Sequence, residues 1–407
     1  MLAQKKYFSF AIFLLLLPVF QPKLFTQYLL VKWLYAGLNM LLFLGLLFYY
    51  CVQVRTIKKA DMKVSWCVYR LYLFFMMCVL GNMAFILQWV NLTLTVINLL
   101  LLFDICEKQD KIPQLLYTIG ALCLLLLLIN YVTLLIYPRG IIRSDWFDSS
   151  DNDWYFLGIK TQFTNVMLPG VAASAVLYAW HRNKTSVVLL IAVLVACALN
   201  IIGRDLATPI VGFIIMVVLL VFRRIRGVRY NLGIMVFVSA IVSIVIVGFG
   251  VSDLFAFFIT EVLHKSMTLS SRTMIWQSAL TVLREQGWLR TIFGNGEVYS
   301  FVPYGTRVMN SHNEILTLFY CGGIVGSLLF LHFLGNCIYT FRSTNKRAPS
   351  FLIVVCFTET IMMITESYFD TAICYIPFLL LPYIYRCTEK KMSCGEQHDQ
   401  AIVEEIR

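Results

Sequence analysis

Charged residues are scarce in this chain: they make up 14% of its 407 residues, whereas 60% are hydrophobic. A soluble domain of this length has too little polar surface to stay in water with such a composition. The apolar stretches approach the roughly 20 residues that a helix needs to cross a bilayer. They are continuous and do not alternate as the strands of a membrane barrel do. The composition therefore predicts an all-α polytopic membrane protein.

The sequence also lacks cysteine patterns that fix a fold or hold a metal. None of its twelve cysteines forms a Cys-x-x-Cys pair, and most lie in or beside apolar stretches. This excludes a disulfide framework and a structural zinc site. The net charge is +11, but the basic residues fall in short loops between apolar stretches, as the positive-inside rule describes. We therefore expect no nucleic-acid partner.

The hydrophobic stretches predict about twelve spans in one transmembrane domain, residues 1–407, with both termini in the cytoplasm. Lys5 and Lys6 precede the first stretch as in a signal peptide, but no small-residue cleavage site follows, so we expect an uncleaved span. Residues 252–311 form a long extracytoplasmic loop, and residues 386–407 form a cytoplasmic tail. The predicted spans are residues 8–20, 28–52, 68–87, 89–103, 114–137, 156–180, 186–202, 206–222, 232–251, 315–339, 350–365 and 371–385.

One part of the long loop is predicted to be an amphipathic helix. Ser270 and Ser271 provide a cap for residues 272–285, in which Ile275 and Ala279 begin an apolar stripe. A helix lying over the outer end of the bundle would cover a cavity beneath it. The alternative is an ordinary surface helix with no ligand.

Arginines gather at the predicted outer surface. A guanidinium stays charged and binds phosphate oxygens through two parallel hydrogen bonds, so the cluster indicates a seat for the diphosphate of a lipid-linked substrate. The alternative is that long loops cross the membrane whatever their charge. The cluster consists of Arg204, between two spans, and of Arg272, Arg284, Arg290 and Arg307 in the long loop.

His312 and Asn313 stand where the long loop meets the span 315–339, and Gly323 and Gly326 follow them within that span. A neutral imidazole at this place can take a proton from an aqueous substrate near neutral pH. Glycines three apart allow a helix to pack closely against a neighbour. The alternative for His312 is an interfacial residue at the start of a helix.

Three carboxylates have open assignments. Glu359 lies within the span 350–365, where it is either functional or protonated and bonded to a neighbouring helix. Glu366 and Asp370 bracket the last outer turn. Either can orient a hydroxyl group of the substrate or pair with an outer arginine.

Four motifs in this order resemble the O-antigen polymerase and ligase family, bacterial membrane glycosyltransferases that act on undecaprenyl-diphosphate-linked glycans. The motifs fall between residues 200 and 330, under half of the chain. Family members often have Ser or Thr before the first arginine, where this chain has Gly203. The motifs are Gly-Arg204-Asp-Leu-Ala, Ser-Arg272-x3-Trp276-x2-Ala-Leu, Phe-Gly-Asn-Gly296 and His312-Asn313-x9-Gly323-x2-Gly326.

The resemblance implies a multi-pass enzyme of the bacterial cytoplasmic membrane whose active site faces outward. The catalytic residues are then His312 as the base for the acceptor hydroxyl, with Arg272 and Arg204 for the departing diphosphate. Arg204 and Arg272 also bind the substrate, together with Asn313, Arg284, Arg290 and Arg307. Backside attack would invert the anomeric centre. The sequence has no histidine pair at metal-ligand spacing, so we expect no metal and no cofactor.

The implied partners are an undecaprenyl-diphosphate-linked glycan donor, a glycan or lipid A-core acceptor, and membrane lipid. We favour a polysaccharide polymerase of O-antigen or capsule, for which a chain-length regulator is a further partner. The alternative is an O-antigen ligase, and no residue separates the two. A lipid-linked oligosaccharide flippase is the alternative of another class, and it predicts charged residues through the depth of several helices.

Overall fold

The computed structural model describes a predominantly helical chain, and its described residues are 10–53, 61–142, 153–202, 206–222, 231–249, 272–304, 307–338, 347–368 and 370–390. A short helix, α1, covers residues 10–16, and the last helix, α14, covers residues 376–390. The helices between them are α2 (Leu29–Gln53), α3 (Asp61–Val79), α4 (Ile86–Lys108), α5 (Ile112–Ile136), α6 (Thr164–His181), α7 (Lys184–Ile201), α8 (Ala207–Phe222), α9 (Leu232–Phe249), α10 (Arg272–Glu285), α11 (Trp288–Phe293), α12 (Glu314–Ile338) and α13 (Arg347–Met362).

Six of the described helices are long and apolar enough to cross a membrane, namely α2, α3, α4, α5, α7 and α12. Parts of α8, α9 and α13 form shorter apolar helices. Many large apolar side chains on these helices are exposed, including Leu30 and Phe48 of α2. Lipid tails can cover such side chains, whereas water would not. The fold is therefore that of a helical, multi-pass membrane protein.

The helices pack around one large apolar core. In it α5 packs on α6 and α7, α12 packs on α3, and α13 packs on α6 and α8. Trp66 of α3 contacts Phe333 of α12 and Tyr375, and all three rings belong to this core. Since α13 packs on α8, the turn that follows α13 reaches the start of α8. This neighbourhood forms the candidate site described below.

Several helix boundaries differ from those predicted. Helix α1 ends before Pro18, which cannot donate a backbone hydrogen bond to continue it, so the predicted span 8–20 is helical only over residues 10–16 within its described part. Helix α3 begins at Asp61 and not at residue 68, because Lys63 forms an ion pair with Asp104 of α4 and belongs to the bundle. Helix α6 begins at Thr164 and not at residue 156, since Trp154 and Tyr155 form β-bridges in the preceding segment.

The described part of the predicted long loop has secondary structure of its own. Helix α10 has the predicted bounds, Arg272–Glu285, which confirms the amphipathic helix. A two-stranded antiparallel hairpin, β1 (Val302–Tyr304) and β2 (Arg307–Met309), follows it and was not predicted, so the described fold is not wholly α-helical. Residues 252–271 of this loop lie outside the described residues.

The apolar stripe of α10 is buried against the bundle. Ile275, Trp276 and Ala279 form a small second core with Val302 of the hairpin and Leu316 of α12. This packing fixes Arg272, the first residue of α10, relative to the beginning of α12. The helix therefore packs at the end of the bundle at which α8 and α12 begin, which we call the site end.

Candidate functional site

At the site end, one carboxylate joins two residues that the sequence analysis singled out. Glu366 lies in the turn after α13, and its Oε1 forms an ion pair with the guanidinium of Arg272. Its Oε2 lies 3.3 Å from Nδ1 of His312. Arg272 and His312, 40 positions apart in the printed sequence, are thus brought to the same side chain. We call Arg272, His312 and Glu366 the Glu366 triad.

The start of α8 contributes to the same place. Thr208 Oγ1 accepts a hydrogen bond of 3.1 Å from Nη1 of Arg272 and lies 2.8 Å from Oγ1 of Thr365. The two terminal nitrogens of the guanidinium therefore bind different partners, a hydroxyl and a carboxylate. This geometry uses the planar fork of arginine, which lysine does not have.

The backbone at the start of α12 holds His312 in an uncommon conformation. The φ angle of His312 is 45°, in the left-handed region that few residues other than glycine adopt. Its backbone N–H donates to Oδ1 of Asn310, at 3.1 Å. Residues held in such conformations cluster at functional sites, because the surrounding structure must compensate for the strain.

Asn313 connects α12 to its neighbours. Its Oδ1 accepts from the backbone N–H of Leu316 at 3.0 Å, which caps the helix. Its Nδ2 donates to Ser243 Oγ of α9 and to the carbonyl of Ile364, both at 2.9 Å. The side chain is 0% exposed. The structure therefore gives Asn313 a capping and bridging role, and its predicted role in substrate binding stays a prediction.

Three further contacts fix the turn after α13 against α12. The backbone N–H of Glu314 donates to the carbonyl of Met363 at 3.0 Å. Its carboxylate accepts from the backbone N–H of Tyr368 at 2.7 Å. Oγ1 of Thr317 lies 3.2 Å from Oγ of Ser367. Together with Asn313, these bonds hold the turn on both sides of Glu366, so the carboxylate is positioned before any ligand binds.

The surroundings of Glu366 determine its charge. Burial raises the pKa of Glu366, but the charge of Arg272 and the hydrogen bond to His312 together outweigh it, so the pKa lies below the usual value of a glutamate. The carboxylate is therefore ionised near neutral pH. An ionised carboxylate only accepts hydrogen bonds, so Nδ1 of His312 must carry the proton in this contact. In a neutral imidazole, Nε2 is then left with a free lone pair that can take a proton from a substrate.

Within the described residues, Arg284 and Arg290 have no contact with the Glu366 triad. Arg284 is twelve residues from Arg272 along α10, a distance of about 18 Å at 1.5 Å per residue. Arg290 donates to Oδ1 of Asn295 at 2.8 Å and supports the turn after α11. Arg204 and the side chain of Arg307 lie outside the described residues. Of the predicted site residues, the described structure joins Arg272 and His312.

The Phe-Gly-Asn-Gly motif that ends at Gly296 contacts the Gly-x-x-Gly motif that begins at Gly323. Gly294 has φ 79° and packs on the backbone of Cys321 and Gly322, and Gly323 has φ 60° and packs on Ile292 and Gly294. Gly323 interrupts the helical geometry of α12, so a side chain there would be strained and would also meet backbone. Gly326 packs against the ring of Tyr72 on α3. The prediction of close packing is confirmed, although part of it is against a turn and not a helix.

A buried ion pair anchors the segment that follows this turn. Glu297 is 0% and Arg70 of α3 is 1% exposed, and Nη1 of Arg70 lies 2.8 Å from Oε2 of Glu297. Arg70 also donates to Oγ1 of Thr93 at 2.9 Å and lies over the ring of Trp66. Sequence reasoning missed this pair, because nothing local to either residue indicates the other.

Sequence reasoning also left Glu366 and Thr208 out of the site. The position of Glu366 in a short turn between two predicted spans was the available signal. Of its two suggested roles, the structure shows pairing with an arginine, Arg272. Asp370 lies 3.8 Å from Nζ of Lys23. Glu359 is 0% exposed, and neither of its carboxylate oxygens has a hydrogen-bond partner among the described residues.

The expectation of no metal overlooked one pattern. Asp151-Asn152-Asp153 is an Asp-x-Asp sequence between the predicted spans 114–137 and 156–180. Asp151 lies outside the described residues and Asp153 is buried. Across the described ranges, no three His, Cys, Asp or Glu side chains are grouped to hold a metal ion.

The helices and the site end define a multi-pass membrane protein with a polar, charged site at one end of its bundle. No protein-family model matches the sequence, and no curated protein or solved structure matches it.

Proposed function

We propose that this protein is a glycosyltransferase that joins lipid-linked glycans at the outer face of the bacterial cytoplasmic membrane, as a polysaccharide polymerase of O-antigen or capsule. The observation that supports it best is the Glu366 triad, in which a histidine and an arginine share one ionised carboxylate. A glycan on a diphosphate lipid carries its own leaving group. Such an enzyme must supply a base for the acceptor hydroxyl and positive charge for the departing diphosphate.

His312 fits the base. Glu366 fixes the proton on Nδ1, so Nε2 accepts the proton of the acceptor hydroxyl as its oxygen attacks the anomeric carbon. The bond from that carbon to the diphosphate oxygen breaks, and the diphosphate lipid leaves with the electron pair. Attack from the side opposite the leaving group inverts the anomeric centre.

Arg272 fits the electrostatic role. Its contacts with Glu366 and Thr208 occupy one N–H of each terminal nitrogen, and a guanidinium has five N–H donors in total. The remaining donors can bind phosphate oxygens while Glu366 keeps the side chain in place. Arg204 is proposed as the second cation at the diphosphate on the resemblance alone.

The placement of charges supports a transferase over a flippase. Among the described residues, ion pairs gather at the two ends of the bundle, with Lys63–Asp104 and Arg386–Glu107 at one end and Arg272–Glu366 at the other. Arg70–Glu297, which lies deeper, anchors the turn after α11. A flippase needs charged groups along a path through the helices.

The proposal is tested with purified wild-type protein and lipid-linked repeat units, without nucleotide sugar. The expected products are glycans of two or more repeat units on lipid, detected by mass spectrometry, together with released diphosphate lipid. Transfer to added lipid A-core, with no lengthening of the lipid-linked glycan, would identify the ligase instead. Unchanged substrate under conditions in which the protein is folded would contradict both.

A further inference from the structure

A polar cavity is lined in part by the turn that carries Glu366. Its volume is about 330 Å³, within the range of small-molecule sites in proteins. It is formed where α1 connects to α2, where α4 begins, and by residues 370–373 of the turn before α14. The same stretch of chain that carries Glu366 therefore continues into the wall of this cavity.

The lining is unusual for a chain that is 60% hydrophobic. Most of the side chains around the cavity are polar, and most of those are uncharged: they include Gln21, Thr26, Asn39, Gln88, Asn91 and Thr95. Amides and hydroxyls offer donors and acceptors side by side. This matches the hydroxyl groups of a sugar, each of which donates and accepts.

Two buried atoms of this lining have no hydrogen-bond partner within the described part of the chain. Asn39 is 1% exposed, and its Nδ2 donates to Oδ1 of Asn91 at 2.8 Å, but its own Oδ1 accepts from nothing. Nε2 of Gln21 likewise donates to nothing. Buried polar atoms in proteins are nearly always paired. Neither atom has surface that a water molecule can reach, so both belong to the packed wall behind the cavity, and the polar groups left for a ligand are the other amides and hydroxyls of the lining.

The charge at the cavity is too low for a phosphate site. The lining has two cations, Lys23 and Lys32, and one anion, Asp370, which lies 3.8 Å from Nζ of Lys23. Phosphate sites are typically built from arginine forks or several converging donors to an anion. The lining therefore favours a carbohydrate over the head group of a phospholipid.

We propose that this cavity is a carbohydrate subsite, which holds a sugar unit of a glycan substrate while the reacting end of that glycan lies at His312. The inference rests on the proposed function for the link to His312. Asp370 follows Glu366 by four residues, and four residues of extended chain span at most about 14 Å. A glycan of a few sugar units covers such a distance.

The experiment uses the full chain in nanodiscs of phosphatidylcholine and measures saturation-transfer NMR signals from free sugars. The probes are glucose, galactose, N-acetylglucosamine and glucuronic acid, with glycerol 3-phosphate as the head-group probe. Gln88 lines the cavity and has no side-chain hydrogen bond within the described residues, so Gln88→Leu removes a sugar contact without breaking an internal bond. Gln109→Leu is the distant control, because Gln109 lies beyond the opposite end of α4, about 30 Å away, where its Nε2 donates to the hydroxyl of Tyr49.

We expect at least one sugar to give a signal with the wild-type protein, with a severalfold loss in Gln88→Leu and no loss in Gln109→Leu or His312→Ala. Melting temperatures equal to that of the wild type show that the variants are folded. The subsite is refuted if no sugar binds, if Gln88→Leu binds as well as the wild type, or if only glycerol 3-phosphate binds. Sugar binding without glycan transfer would contradict the proposed function and support the subsite. Glycan transfer without sugar binding would contradict the subsite and support the proposed function.

Discussion

Replacing Glu366 by glutamine tests the chemistry of the site with almost no change of shape. Arg272 has only donors, so the carbonyl oxygen of the new amide will face the guanidinium and its NH₂ group will face His312. Nδ1 of His312 must then accept a hydrogen bond, which moves the imidazole proton to Nε2. The nitrogen proposed to act as base is thereby blocked. A general base contributes about 10²–10⁴-fold to a rate, and we expect Glu366→Gln to lower kcat by that order.

The measurement is the rate of glycan lengthening on lipid-linked repeat units by purified protein. Glu366→Asp is the matched control, since it keeps the charge and the acceptor-only character and should retain more activity than Glu366→Gln. Thermal unfolding of both variants separates a loss of fold from a loss of chemistry, because Arg272 loses a charged partner only in Glu366→Gln. If Glu366→Gln turned over at nearly the wild-type rate, the assignment of tautomer and base would be wrong.

Four further outcomes are expected. Arg272→Lys should lower turnover at least tenfold, because an ammonium cannot bind two partners as the guanidinium fork does. Arg284→Lys, at the other end of α10, should leave turnover unchanged. Equal losses of turnover in the two variants would contradict the proposed site. Gly323→Ala should cost about 1–3 kcal/mol of stability because of its positive φ and the backbone it would meet, whereas Gly335→Ala, which meets nothing within 4 Å, should be neutral in the same denaturation assay. Folding lowers the pKa of Glu366, so its ion pair should stabilise the protein at pH values above the unfolded glutamate pKa of about 4.3. This stabilisation should be lost as the pH falls through the folded pKa, and melting curves of Glu366→Gln should not show the loss. Treatment with a chelator should leave turnover unchanged, and inhibition reversed by a divalent cation would direct attention to the Asp-x-Asp pair before α6.

Local sequence patterns predicted local structure well. The bounds of α10 follow from serines before it, an apolar stripe within it and Gly287 after it, and all three signals lie within a few residues of the helix. Helix α3 begins earlier than predicted because the charge of Lys63 is neutralised by Asp104, which is 41 residues away. The hairpin escaped prediction because its strands have three residues each and lie in a polar loop.

The site was predictable only in part, for the same reason. Arg272 and His312 were recognised from their motifs, but the carboxylate that joins them is 94 and 54 residues away from them. Its position depends on the packing of α13 on α8, which no short pattern encodes. Asn313 was predicted to bind substrate because it follows His312 in the sequence. The same position places it at the start of α12, where its side chain is buried and caps the helix.

The account depends on His312 and Glu366 acting as one unit in glycan transfer. A double-mutant cycle of turnover tests this directly, with His312→Ala, Glu366→Gln and the two combined. Residues that act as a unit are strongly non-additive, so we predict that the double variant is no slower than the slower single variant. Rate losses that multiply in the double variant, or full turnover in His312→Ala, would contradict the account.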